Sequence, residues 1–246
     1  MRPDGSIERF KARLVVRGFT QKKDFDSFDT YSPVTKISTI RTLVALAAIH
    51  ELLIHQMDVK TAFLNGDLKE EIYMSQPEGC IVKGQEKKVC KLNKSLYGLK
   101  QAPKQWYEKF NNTLINDGYM VNNSDSCVYS KRIGSDCVII CLYVDDMLIL
   151  GKTLETIVET KKFLSSHFEM KDLGEVDVIL GVKVTRTPNG ISLSQSHYVK
   201  KVLEKFHCEN DVPAKTPYDA SVPLCKNLGR VYPKENTPEL LEVLCF

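Results

Sequence analysis

An α+β fold, an antiparallel sheet covered on one face by helices, is the architecture this chain predicts. Three observations lead there. Segments with apolar residues at helical spacing are interspersed with short strand-like runs, and no internal repeat or low-complexity block interrupts them. Two of the apolar runs end in acids followed by a turn, as strand ends brought side by side in one antiparallel sheet would. The 246 residues, 43% of them hydrophobic, are enough to bury a core.

In chain order, FKARLVVRGF from Phe10 to Phe19 alternates loosely and reads as a strand with basic residues on one face. From Ser38 to Leu53, the spacing of Ile40, Leu43, Val44, Ala47 and Ala48 marks an amphipathic helix that Ser38 or Thr39 could cap. LIHQMDV, Leu53 to Val59, is a short strand running out toward a turn at Asn65-Gly66. Trp106 to Ile115 is helical, and Cys137 to Leu150 forms two strands folded about Val144-Asp145-Asp146. Thr153 to Phe168 is a helix with Leu154, Ile157, Val158, Leu164 and Phe168 on one side. Val176–Val184 and Ile191–Ser194 form a hairpin about Pro188-Asn189-Gly190, followed by a helix from His197 to His207. Beyond Asp211, a segment with Pro213, Pro217, Pro223 and Pro233 reads as a loop-like tail.

Composition narrows the function classes. A net charge of +3 permits a nucleic-acid partner without demanding one. Basic residues cluster at Lys11, Arg13, Arg17, Lys22 and Lys23, at Lys87, Lys88, Lys91 and Lys94, and at Lys100 and Lys104; ordinary solvated charge explains most such clusters. Eight cysteines without a signal peptide point to free thiols in a reducing compartment, hence an intracellular, cytoplasmic protein. Zinc is disfavoured because Cys80, Cys90, Cys208 and His207 lack ligand spacing. No membrane span is expected, since the longest apolar run, Val138 to Leu150, is interrupted by two acids. His50 and His55 read as packing or surface residues.

Those two acids are the sharpest feature. In CLYVDDMLILG, Asp145 and Asp146 sit inside the most apolar stretch of the chain, where an unpaired carboxylate is costly. At a hairpin tip the two charges would raise one another's pKa, and a divalent cation would remove the conflict. Mg²⁺ takes one or two protein carboxylates plus substrate phosphates, and Asp58 in IHQMDVKTAFLNG repeats the same oddity. Three converging carboxylates suit two-metal phosphoryl transfer; aspartates as plain turn formers are the competing account. Gly151-Lys152-Thr153 resembles the end of a P-loop, but Asp146 stands where that motif needs glycine.

Read together, these segments resemble the reverse transcriptase of copia-type long-terminal-repeat retrotransposons. FKARLVVRGFTQ, TYSPVT, QMDVKTAFLNGDL, EIYMSQPEG, VCKLNKSLYGLKQAPKQWY, CVY, YVDD, DLGEVDVILGVKV and SQSHYVKKVL follow the family's order, from about Ile7 to about Lys226. The resemblance implies a right-hand polymerase palm with partial fingers and a thumb stub. Residues 1–195 would be fingers and palm, 196–232 an incomplete thumb, and 233–246 a divergent tail. It implies that Asp58, Asp145 and Asp146 are catalytic and hold two Mg²⁺ ions, with Mn²⁺ able to substitute and Asp146 less directly ligated. Lys11 and Arg13 would hold the incoming triphosphate, Phe63 would exclude a 2′-hydroxyl, and Tyr97 and Gly98 would line the nucleotide pocket. Leu180-Gly181-Val182 resembles a primer-grip hairpin.

The implied reaction is RNA-directed DNA polymerisation on a primer-template with an RNA or DNA template, using deoxynucleoside triphosphates (dNTPs). The family's preceding finger strands, the rest of its thumb, and its RNase H, integrase, protease and capsid segments are not in this sequence, so a truncated copy is expected. The alternative is a catalytically inactive palm-fold remnant with weak nucleic-acid binding. A metal nuclease would leave Phe63 and the Tyr97 segment unexplained.

Overall fold

The computed structural model describes residues 12–22, 25 and 28–207. Lys11, residues 208–232 of the expected thumb and the expected tail at 233–246 lie outside them. The first helix, α1, is Ile37–Ile49, followed by β1 at Leu53–Val59. A small two-stranded sheet, β2 (Tyr73–Ser75) with β3 (Val89–Lys91), precedes α2 at Ala102–Asn116. Strands β4 (Met120–Val121), β5 (Val128–Ile133), β6 (Asp136–Tyr143) and β7 (Asp146–Gly151) lead into α3 at Leu154–His167. Then come β8 (Met170–Glu175), β9 (Val178–Ile179), β10 (Val182–Thr187), β11 (Gly190–Ser194) and α4 (Ser196–Lys205).

Six of these strands form one sheet in the order β4-β5-β6-β7-β1-β8, antiparallel throughout. DCVIICLY and MLILG are apolar at nearly every position, so β6 and β7 need cover on both faces. The expectation of helices on one face is therefore corrected. On one side Met57, Val59, Val138, Ile140, Met147 and Ile149 pack with Trp106, Phe110 and Leu114 of α2 and Ile157 and Leu164 of α3. On the other, Ile54, Cys141, Leu148 and Leu150 pack with Ile40, Leu43, Val44 and Ala47 of α1 and with Ile179 and Val184.

Local chemistry explains the helix ends. The Thr153 Oγ1 accepts from the Thr156 N–H and starts α3. Helix α1 is capped from elsewhere: Asp125 Oδ2 accepts from the Lys36 N–H at 3.2 Å and from Thr39 Oγ1 at 2.7 Å. It stops at Ile49, short of the expected Leu53.

Two further expectations need correction. Residues 12–19, the described part of the predicted first strand, form no ladder; Val16 N–H donates to Tyr97 O at 2.7 Å and a 3-10 turn begins at Gly18. The predicted arm Val176–Val184 is broken by Leu180 and Gly181, both at positive φ, into β9 and β10. Strands β5 and β8 were not expected. Among the described residues no helix is long and apolar enough to cross a membrane.

Candidate active site

Strand pairing builds the site. Strands β1 and β7 run antiparallel with Leu53 opposite Gly151, and the register carries through to Asp58 opposite Asp146. Directly opposed residues project to one face, so the two side chains share it. The Val59 N–H donates to Asp145 O at 2.9 Å, which ties the β6–β7 turn to the end of β1. All three predicted acids are thus gathered at one edge of the sheet, from positions 88 apart in sequence at the widest (146 − 58 = 88).

The electrostatics match that crowding. Burial pushes the Asp145 carboxyl up, Asp58 and Asp146 add to the rise, and Arg13 opposes it. Burial also raises Asp146, against a hydrogen bond that Gln56 Nε2 donates to its Oδ1 at 3.1 Å, with Asp58 raising it further. Asp145 Oδ1 is buried and accepts no hydrogen bond. A buried anionic oxygen without a donor is costly, and a hard cation is what it fits. Among the described residues no three Asp, Glu, His or Cys side chains by themselves form a ligand set. A divalent ion here would take Asp145 and Asp58 and complete its shell with substrate oxygens and water, the habit of Mg²⁺.

The remaining predicted residues fall around the acids unevenly. Arg13 is exposed, and its charge acts on both Asp145 and Tyr97. Phe63 and Tyr97 are half-buried with ring centroids 5.0 Å apart. Burial raises the Tyr97 phenol, as do Asp145 and Asp58, while Arg13 lowers it. Gly98 has φ +94°, and a Cβ there would stand 2.0 Å from Val16 O; one on Gly18 would stand 1.7 Å from Gly98 O. Gly98 thus serves close backbone approach, docking the segment that presents Arg13. Leu180 and Gly181 make the β9–β10 turn, with Leu180 packed on the α1-side core.

Three residues bonded to the acids or to the strand that carries them escaped sequence reading. Gln56 lies two residues before Asp58 on the same strand face, so strand periodicity could have found it. The Trp106 indole N–H donates to Val144 O at 2.8 Å, and Thr35 Oγ1 donates to Leu142 O at 2.6 Å. Nothing local in the sequence pairs those positions.

Comparisons with known proteins identify the family. A family profile described as "Reverse transcriptase (RNA-dependent DNA polymerase)" matches residues 3–220. The Retrovirus-related Pol polyprotein from transposon TNT 1-94 of Nicotiana tabacum is 51% identical over 228 residues, 92% of this chain and 17% of that protein. The corresponding polyprotein from transposon RE1 of Arabidopsis thaliana is 40% identical over 214 residues, 87% of this chain and 15% of that protein. That from transposon RE2 of the same plant is 36% identical over 230 residues, 94% of this chain and 16% of that protein. The chain thus spans about a sixth of the length of these relatives. It belongs to the reverse transcriptase family, as a reverse transcriptase domain of copia-type retrotransposon Pol polyproteins.

Proposed function

We propose that this domain is an RNA-directed DNA polymerase that adds dNTPs to a primer paired with an RNA or DNA template. The observation that carries the reading is the unpartnered, buried Asp145 Oδ1 beside Asp58 and Asp146. In the reaction the primer 3′-oxygen forms a bond to the α-phosphorus, the bond to pyrophosphate breaks, and the hydroxyl proton leaves to solvent. Two Mg²⁺ ions, or Mn²⁺, would neutralise charge on the attacking and leaving oxygens. Asp58 and Asp145 hold that charge in place, and Asp146, engaged by Gln56, contributes field more than direct ligation. Arg13, with Lys11 before it, binds the triphosphate, consistent with charge-assisted phosphate contacts. Phe63, braced by Tyr97, closes the space a 2′-hydroxyl would need, while Gly98 holds the Arg13 segment against the Tyr97 edge of the pocket.

In this reading the six-stranded sheet is the palm, residues 1–195 are fingers and palm, α4 starts a thumb that runs to 232, and 233–246 are a tail. The Leu180-Gly181-Val182 turn grips the primer. Primer extension on an oligo(dT)-primed poly(rA) template with Mg²⁺ or Mn²⁺ tests the proposal. Extension should occur with the native chain and fall at least about a thousandfold with Asp145→Asn, since positioning and charge stabilisation supply most of the rate. No extension from a folded sample would leave a palm-fold remnant that binds nucleic acid weakly.

A further inference from the structure

The turn that presents Asp145 has a backbone conformation that its residue disfavours, and its carbonyl accepts a bond from another element. Val144, immediately before Asp145, has φ +55°. A β-branched residue rarely adopts that region, so the turn will relax unless its surroundings prevent it. The ladder pairs Tyr143 with Asp146 and leaves Val144 and Asp145 as a two-residue loop, a turn that calls for positive φ at its first central position, where valine fits poorly. The Val59 N–H holds the Asp145 carbonyl, and the Val144 carbonyl is held by Trp106, whose indole N–H donates to Val144 O at 2.8 Å.

Trp106 is well placed to act as a fixed post. It is 2% exposed and wedged between Phe110 and Phe168, with ring centroids 5.5 Å and 5.2 Å away. Helix α2 lies close to the turn after β1 because position 66 is glycine: a Cβ there would stand 2.8 Å from Gln105 Cβ and 3.1 Å from Trp106 N. A run of contacts therefore leads from Gly66 through α2 and the Trp106 indole to the carbonyl next to Asp145. Thr35 Oγ1, donating to Leu142 O at 2.6 Å, secures the same strand two residues earlier.

We propose that Trp106 is a positioning residue for the reaction: its N–H holds the Val144 peptide in the left-handed conformation that aims Asp145 at its cation. The proposal rests on the reading of Asp145 as a metal-holding acid. Its chemistry is that of a neutral hydrogen bond to a strained carbonyl, whose loss frees the turn without removing any charged group.

Trp106→Phe keeps a ring against Phe110 and Phe168 and removes the donor together with part of the indole's packed volume, a loss that the thermal midpoint reads separately. Mn²⁺ binding by electron paramagnetic resonance, thermal midpoint, and the kcat and dNTP KM of primer extension would be compared for the native chain, Trp106→Phe and Asp145→Asn. Loss of one neutral hydrogen bond predicts Mn²⁺ affinity and kcat each reduced about three- to tenfold with KM within about twofold. A merely structural role would move the midpoint and leave Mn²⁺ affinity of the folded protein unchanged. Adding Val144→Asn to Trp106→Phe should restore part of the Mn²⁺ affinity, because asparagine tolerates positive φ.

Native Mn²⁺ affinity in Trp106→Phe overturns the inference. If Asp145→Asn loses binding in that same experiment, the reading of the acid stands and only the positioning role falls; if Asp145→Asn also binds normally, both fall. Trp106 is the single tryptophan of the chain, which supplies a test that needs no Trp106 variant. Its emission in the native protein should change as Mn²⁺ binds and stay unchanged in Asp145→Asn. An unresponsive native emission across a titration that saturates Mn²⁺ overturns the coupling.

Discussion

Strand β1 carries two ionisable clusters of opposite character on its two faces. Toward α3, His55 meets Lys161, whose Nζ lies 2.9 Å from His55 Nδ1 and 2.6 Å from Asp172 Oδ1. An ammonium only donates, so Nδ1 accepts and the imidazole proton sits on Nε2. The Gly174 N–H also donates to Asp172 at 2.8 Å. Three residues on, Asp58 faces Asp146 and shares the sheet edge with Asp145, whose Oδ1 has no donor. In the first cluster positive and negative groups answer each other. In the second, like charges are stacked where burial already disfavours them. Polar groups that satisfy one another hold β8 and α3 to the sheet, whereas a set left unsatisfied by the protein is one that a ligand completes.

The largest effect expected from breaking this contrast is on stability. Lys161 is only 8% exposed, and Lys161→Ala removes its packed stem and both hydrogen bonds. Unfolding in urea should show a loss of about 2 kcal/mol, with Asp172 partly rescued by its exposure to water. A cost under about 0.5 kcal/mol would place this network with ordinary surface ion pairs and dissolve the contrast.

The opposite sign is expected at the acid site. Asp145 titrates above its ordinary range, so its contribution to stability is present at low pH and is lost as pH rises through the raised value. At neutral pH, without divalent cation, Asp145→Asn should therefore stabilise the fold. Solvent screening of the half-buried carboxylates limits the gain to about 1 kcal/mol, or about 2–4 °C in midpoint. The gain should vanish in acid below about pH 4, where the carboxyl is protonated in both states. Mg²⁺ should stabilise the native chain and not the variant. Destabilisation by Asp145→Asn at neutral pH would mean that the carboxylate is satisfied after all.

How much of this was legible beforehand divides along the same lines. The pairing of β1 with β7 and the acid tips could be read because apolar runs ending in Asp58 and Asp145-Asp146 are local patterns. The docking of residues 12–18 could not, because it depends on Gly18 meeting Gly98 across the fold. Strand β8, MKDLGE, is exposed at most positions and owes its form to pairing with β1. Strand β5 carries Lys131 and Arg132 in mid-strand and is likewise defined by its neighbour β6. The cap of α1 comes from Asp125, and the Trp106 and Thr35 bonds span 38 and 107 residues. The acids were visible as an anomaly; the groups that hold them in place were not.

The smallest effect expected separates the clusters by pH. Burial and the Lys161 charge hold the His55 imidazole below its ordinary range, against Asp172 and Glu175. A depressed histidine contributes stability above its unfolded value, about 6.5, that is lost as pH falls through the lower folded value. Burial pushes Asp172 up, yet the Lys161 and Gly174 hydrogen bonds leave it lowered, so its contribution is lost only in stronger acid. Asp145 and Asp146 slope the other way, which masks the histidine in the native chain. The difference between native chain and His55→Gln isolates it: moving from about pH 7.5 to about pH 5.5, the native chain should lose a few tenths of a kcal/mol more than the variant, the amount a partly exposed group retains after screening. Parallel pH profiles would mean that the imidazole accepts its proton without disturbing Lys161, and that the satisfied face of β1 is held by the Lys161–Asp172 pair alone.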